Sequence, residues 1–293
     1  MNQANIPQNL KLIMIGSVAA ILSGCSISPT YDQRFDPENH SRAYNLAQAG
    51  NLWKVQDRKV DQQDYTAAMA NLSDAFGTTL LVNNDVALGL DWGTSLGIGL
   101  LDFLTSPPDQ LKRDSAFFFV PTSQAPSSNE AQALVFDHYR LAVQQAAKEL
   151  GLELQQHGDD NLHQASSNRQ GVGFVLVDKN RGCPGYDTQV ANANDRCRVI
   201  LEITEKASHT SMAPLVTGLG ENVHFYQASD HYRYSPFWVL LPDSAELNQE
   251  AITARISAHM PDWFYVYLAP DREAKRPAMV FERGEPHLFI MPQ

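Results

Sequence analysis

The chain has 293 residues, with 33 Asp and Glu against 22 Lys and Arg, nine His and a formal net charge of −11. So acidic a surface repels nucleic acid, whose binders need clustered Lys and Arg. It also offers nothing basic to hold anionic lipid head groups, and the length allows one large domain or two small ones.

The chain opens as an export signal. Lys11 is the only charged residue before Cys25, and an apolar run follows it from Leu12 to Leu22. That run is shorter than the ~20 apolar residues of a stable membrane span, but it suits the apolar region of a signal peptide. It ends in Leu22-Ser23-Gly24-Cys25, which resembles the lipobox of bacterial lipoproteins: a Leu, two small residues and a Cys. The resemblance implies that residues 1–24 are removed and that Cys25 is diacylated on sulfur. Cys25 then becomes the new N-terminus and takes a further acyl chain, such as palmitate, on nitrogen. Chemistry agrees with the pattern. Small residues let a peptidase approach the backbone, and a thiol can carry a thioether-linked lipid. Several acyl chains, at about 0.8 kcal/mol per buried methylene, anchor firmly where one chain binds reversibly. The competing reading is an ordinary secretory signal with an incidental Cys. In the sorting rule of such lipoproteins, Asp after the lipidated Cys retains the protein at the inner membrane. Ser26 therefore implies the outer membrane, with the domain facing the periplasm.

Without the signal the chain keeps 21 Lys and Arg against 33 acids, a net charge near −12. Residues 25–40 form a lipidated terminus and tether, with Pro29, Pro37 and no apolar period. Residues 41–106 form a helical, Gly-rich region. In it Ala43, Leu46, Ala47, Gly50 and Trp53 recur at helical spacing, as do Tyr65, Ala68, Met69, Leu72 and Phe76. A polar break at Asp57 to Asp61 separates the two helices. Val86 to Leu104 then places Gly89, Gly93 and Gly97 four apart, one smooth stripe on a helix. Glycine costs about 1 kcal/mol relative to Ala inside a helix, so the stripe suggests close helix–helix packing. Asp91 and Asp102 count against a lipid-facing span. A soluble helical hairpin and Gly-rich loops are the plainer alternatives.

Pro107-Pro108 marks a boundary, and residues 115–293 read as an α+β domain. Ala116 to Val120 is a buried strand, and Ser127-x-x-Glu130 a capping box. It opens a helix that runs to Leu150, with Leu134, Val135, Leu141, Ala142 and Ala146 facing inward. Strands follow at Leu152–Gln155, Val172–Val177, Arg198–Glu205, Val223–Gln227 and Phe237–Leu241. A second helix spans Glu246 to His259, capped by Asp243 or Ser244. Strands at Trp263–Leu268, Ala278–Glu282 and His287–Ile290 close the chain. This order predicts a mixed or mainly antiparallel sheet with two helices packed on one face. Cys183 and Cys197, an even pair in an exported chain, read as a disulfide. A metal pair would lack the short Cys-x-x-Cys spacing.

No phosphate loop or His-Glu-x-x-His occurs, and no catalytic, cofactor or metal residue is nominated. Ser229-Asp230-His231 cannot form a relay as neighbours on an extended strand. With Tyr226, Tyr232 and Tyr234 the run Tyr226, Asp230, His231 reads as a candidate recognition loop or an ordinary solvated one. His138 sits on the inner stripe of its helix, as a hydrogen-bonded, partly buried residue. His157 and His163 flank Asp159 and Asp160 in a stretch that reads as a flexible loop more readily than a metal site. Both alternating faces of Trp263–Leu268 carry large residues, which requires burial on both sides or cover by a partner. These signs point to a structural or accessory subunit of an envelope assembly for secretion, conjugation or polymer export. Its partners are membrane lipid, through Cys25, and other protein chains or copies of itself. An envelope-polymer-modifying enzyme and a surface-exposed binding lipoprotein are the alternatives.

Overall fold

The structure, a computed structural model, describes residues 35–81, 113–156, 170–186, 195–203, 207–228, 237–271, 273 and 276–293. Within 62–81 it describes side chains at 62–70, 72 and 76. Cys25, Gly89, Gly93, Gly97, Asp230, His231, Tyr232 and Tyr234 lie outside these residues, as do His157 to His163 and the Pro107-Pro108 boundary.

Helices α1 (Arg42–Ala49) and α2 (Gln62–Leu81) flank a three-residue strand, β1 (Arg58–Val60). β2 (Ser115–Pro121) and α3 (Ser128–Glu149) follow, then β3 (Glu153–Gln156), β4 (Gln170–Val177), β5 (Cys197–Ile203), β6 (Ser208–Thr210), β7 (Val223–Tyr226) and β8 (Phe237–Leu240). Helix α4 (Gln249–Ala258) precedes β9 (Phe264–Leu268), β10 (Met279–Glu282), β11 (Glu285–Leu288) and β12 (Ile290–Pro292). The fold is α+β. Its strands divide into a six-stranded sheet, order β11-β10-β9-β2-β7-β6, and a four-stranded sheet, order β3-β4-β5-β8. Both are antiparallel throughout. β1 and β12 form a separate parallel pair, with Arg58 opposite Ile290 and Val60 opposite Pro292. The region from His287 to Ile290, read from sequence as one strand, therefore splits. β11 ends at Leu288, and β12 turns away to meet β1.

Alternation explains why the six-stranded sheet is central. Phe117 and Phe119 pair with Tyr265 and Phe225 on one face; Phe118 pairs with Phe264 and Tyr226 on the other. Each set stacks, with ring centroids 5.3 Å apart for Phe117–Tyr265 and 4.6 Å for Phe118–Tyr226. Helix α1 covers the Phe117 face. Gly50 ends that helix so close to Phe117 that an added Cβ would lie 2.6 Å from the ring. The opposite face meets α2 through Phe76, edge-on to Phe281, and α3 through the Tyr226 hydroxyl, which donates to the Ser128 carbonyl at 2.7 Å. Helix α4 packs beside α2 and α3 and over β9 and β10. β9 is buried along its whole length, as large residues on both its faces require, and this chain's own helices supply the cover. Residues 43–76 and 116–290 share one apolar core, so no division between them appears among the described residues.

Helix starts follow local chemistry. Ser127 caps α3 with the full reciprocal box, its Oγ accepting from Glu130 N while Glu130 bonds back to Ser127 N. Helix α4 begins at Asn248, whose side chain accepts from Ala251 N. Asp243 and Ser244 lie one turn too early because Gly182 packs on Ser244 and the Glu246 N–H bonds Arg181 O. Leu141 points outward and is 64% exposed; the inward stripe of α3 runs through Val135, Tyr139, Ala142 and Ala146 instead. Trp53, four residues past the end of α1, is 48% exposed. Cys183 and Cys197 form a disulfide with Cα atoms 5.3 Å apart, tying the turn after β4 to the start of β5.

Candidate functional site

The chain enters the fold at a clamp. Asn45 is buried in α1; its amide donates to the carbonyls of Asp36, His40 and Ser41, and its Oδ1 accepts from Asp36 N at 3.1 Å. Folded contacts therefore begin at Asp36, a few residues before the tether's expected end. Ser41, the N-cap of α1, accepts from Tyr44 N at 3.0 Å, and its hydroxyl donates to Asp57 Oδ1. Asp57 Oδ2 accepts from Ser41 N at 2.8 Å and meets His40 Nδ1 at 3.1 Å. The His40 ring stacks on Tyr44 with centroids 4.0 Å apart. Asp57 is nearly enclosed and His40 about one-third exposed.

The segment after α1 completes the site. Asn51 adopts a left-handed φ of 67°, a conformation that asparagine tolerates better than most residues. Its Oδ1 accepts from Trp53 Nε1 at 2.9 Å, and its Nδ2 donates to Gln227 at 2.6 Å. Leu52 and Val55 are buried, which anchors the segment while Trp53, Lys54 and Lys59 stay exposed. β1 is held by β12, with Arg58 N donating to Phe289 O at 2.9 Å and Gln293 N to Val60 O at 2.8 Å. The result is an open cavity of about 600 Å³, lined by His40, Tyr44, Trp53, Lys54, Asp57 and Lys59 with Asn39, Val55 and Gln56. Its lining residues all lie between positions 39 and 59, and β12 holds β1 in place.

Its lining carries groups that can bind an outside partner. With Nδ1 turned to Asp57, His40 keeps Nε2 for an outside partner. A carboxylate–imidazole pair can orient a general base, but the nearest hydroxyl, Ser41 Oγ, bonds Asp57 and the helix terminus rather than His40. Two lysines and two aromatic rings then face one opening, and Asp57, the one carboxylate in its lining, is engaged from inside.

Other polar clusters serve the fold. Burial pushes the Asp114 carboxyl up, against Arg276, the Ala269 N–H and Gln249, which pull it down. Arg276 also donates to Gln249 and Ala269 O, locking the connection after β9 to α4. Arg42 spans α1 to β10, with Nε and Nη2 on the Glu282 carboxylate at 2.9 and 2.6 Å and Nη1 on Val216 O. Glu149 joins α3 to Arg255 and His259 of α4.

Tyr226, expected in an exposed recognition loop, is instead core. It ends β7 at 6% exposure, and burial pushes its hydroxyl up to about 12. The cause is register: pairing with Phe118 turns Tyr226 toward α3. Gln227 and Ala228, which precede residues 229–236, bond Asn51 and Gly50 and so lie beside the Trp53 segment. His224 is buried, with Nε2 3.0 Å from Ala125 O, and His138 meets the Trp263 ring edge-on at 5.7 Å. Among the described residues no group of three or more His, Cys, Asp or Glu could hold a metal ion. No helix there is long and apolar enough to cross a membrane.

The His40 groove carried no sequence signal as a site. Its residues come from a cap, a loop and a three-residue strand, and the polar run from Asp57 to Asp61 reads only as a break between helices. No family model matches the chain, and neither a curated protein nor a solved structure does.

Proposed function

We propose that the chain is a lipid-anchored outer-membrane lipoprotein serving as a structural or accessory subunit of an envelope assembly. One observation carries this reading: an apolar run of signal length ends on Leu22-Ser23-Gly24-Cys25. The disulfide between Cys183 and Cys197 supports it, since such bonds persist in exported proteins and are rare where thiols are kept reduced. The acidic balance favours protein or lipid partners over nucleic acid. Protein contact gains support from the far edge of the six-stranded sheet. β6 ends that sheet among the described residues, and just after it Met212 and Leu215 are 54% and 56% exposed. Sheet edges and exposed apolar side chains are where partner chains add.

The test is to extract the lipidated protein from outer membranes in mild detergent and determine particle mass and co-purifying chains. A defined complex, larger than one chain, is the expected result. A lone monomer overturns the assembly role. Replacing Gly93 and Gly97 by Leu tests the glycine stripe separately. Assembly should be lost while the disulfide-bonded domain stays folded; unchanged assembly removes the stripe from the account.

A further inference from the structure

We infer that the groove lined by His40, Trp53, Lys54 and Lys59 takes the phosphate headgroup of an anionic phospholipid, seating the domain on the membrane that holds its anchor. The inference rests on the lipoprotein reading for its geometry. Phe35, the first described residue, lies ten positions after Cys25. Ten fully extended steps reach about 35 Å, and the Asn45 clamp fixes the chain's entry at Asp36, beside Asn39 and His40 of the groove lining. Of all the surface of the domain, this groove lies at the root of the tether, and the tether keeps it close to the bilayer.

Charge supplies the second argument. A chain with a large acidic excess repels an anionic bilayer overall, so contact requires a local reversal. Residues 53–59, Trp-Lys-Val-Gln-Asp-Arg-Lys, hold three cations and one acid. The acid, Asp57, is nearly enclosed and bonded to Ser41 and His40, which leaves the lysines to set the potential of the opening. No ion pair engages Lys54 or Lys59 among the described residues. Whole-chain composition hides this spot because the cations are few and adjacent.

Trp53 supplies the third. The indole is 48% exposed, and its N–H is bonded to Asn51. Tryptophan beside lysine favours the headgroup level of a bilayer, where the ring meets the acyl boundary and the ammonium reaches phosphate. The cavity, about 600 Å³, has room for one headgroup between Lys54, Lys59 and the outward nitrogen of His40.

The test uses the mature protein reconstituted into vesicles of phosphatidylcholine alone or of an equimolar mixture with phosphatidylglycerol, with part of the lipid brominated near the headgroup. Trp53→Phe isolates the Trp53 contribution to the fluorescence. Trp53 should be quenched in the anionic vesicles and not in the neutral ones. Lys54→Gln and Lys59→Gln should each lower the seated fraction roughly fivefold. Absence of Trp53 quenching in both vesicles overturns the inference, and so does quenching that ignores the two lysines. Intact mass of the same sample reports acylation of Cys25. Should Cys25 carry no lipid, the anchor reading fails by mass alone, and vesicles added from outside still test the groove by the same quenching.

Discussion

Glu282 shows at the scale of one residue how α1 is fastened to the sheet. Burial alone would raise its pKa, but His287 and the bidentate Arg42 outweigh that and hold it at about 2, against an ordinary 4.5. A carboxylate lowered on folding stabilises the native state above its unfolded value, and that stability disappears as pH falls through the folded one. The pair is partly solvated, so its contribution is about 1 to 2 kcal/mol after screening. Glu282→Gln should lose this much in urea unfolding at neutral pH. The deficit should shrink between pH 4.5 and pH 2; a deficit unchanged at pH 2 would remove the ion pair as its cause. Tyr226→Phe should cost about 1 kcal/mol through the lost bond to Ser128 O, also read by urea unfolding. An unchanged midpoint would show that the hydroxyl adds nothing. At this scale the sequence misleads where a residue's partner is distant. Tyr226 adjoins a polar, aromatic run, but Phe118, more than a hundred positions earlier, decides that it is core.

Elements with a strong period or a local cap could be read from the chain; those without could not. Helix α3 announces itself through Ser127 and Glu130, and β4, β5, β7, β8 and β9 lie within a few residues of their expected bounds. β1 and β6 have three residues each, Arg-Lys-Val and Ser-His-Thr, too few to show a period of two. Long-range pairing makes them strands: β12 completes one and β7 the other. The same limit hid the groove, because its floor is β1 and the chain on either side. The close approach of α1 to the sheet was also invisible, since Gly50 continues an apparent helical stripe. Its substitution is diagnostic. Gly50→Ala would drive a Cβ onto the buried Phe117 ring, and overpacking of this kind costs typically 1–3 kcal/mol. A loss of stability in thermal unfolding with the α3 region unperturbed is expected. A neutral result would show that α1 can lift from the sheet at no cost.

On the scale of the molecule, the α+β class was legible because strand and helix periods alternate in blocks along residues 115–293. That the N-terminal helices belong to the same core was not. It depends on β12 returning to β1 and on Arg42 reaching Glu282, contacts that span most of the chain. The disulfide could be read from cysteine count alone, and it closes a loop of 14 positions. Its reduction should lower stability by roughly 3 kcal/mol, measured as a shift of the denaturation midpoint with and without reductant; no shift would mean that neighbouring strands already fix the ends. The organisation we propose is a lipid at Cys25 and a short tether, followed by a domain whose first described residues border a groove with two lysines and a tryptophan. The envelope role depends on the anchor. The most direct measurement is the intact mass and N-terminal fragmentation of the protein purified from outer membranes. The account predicts a chain that begins at Cys25 and carries a diacylglycerol on sulfur and an acyl chain on nitrogen. A mature chain that begins elsewhere, or an unmodified Cys25, would contradict it.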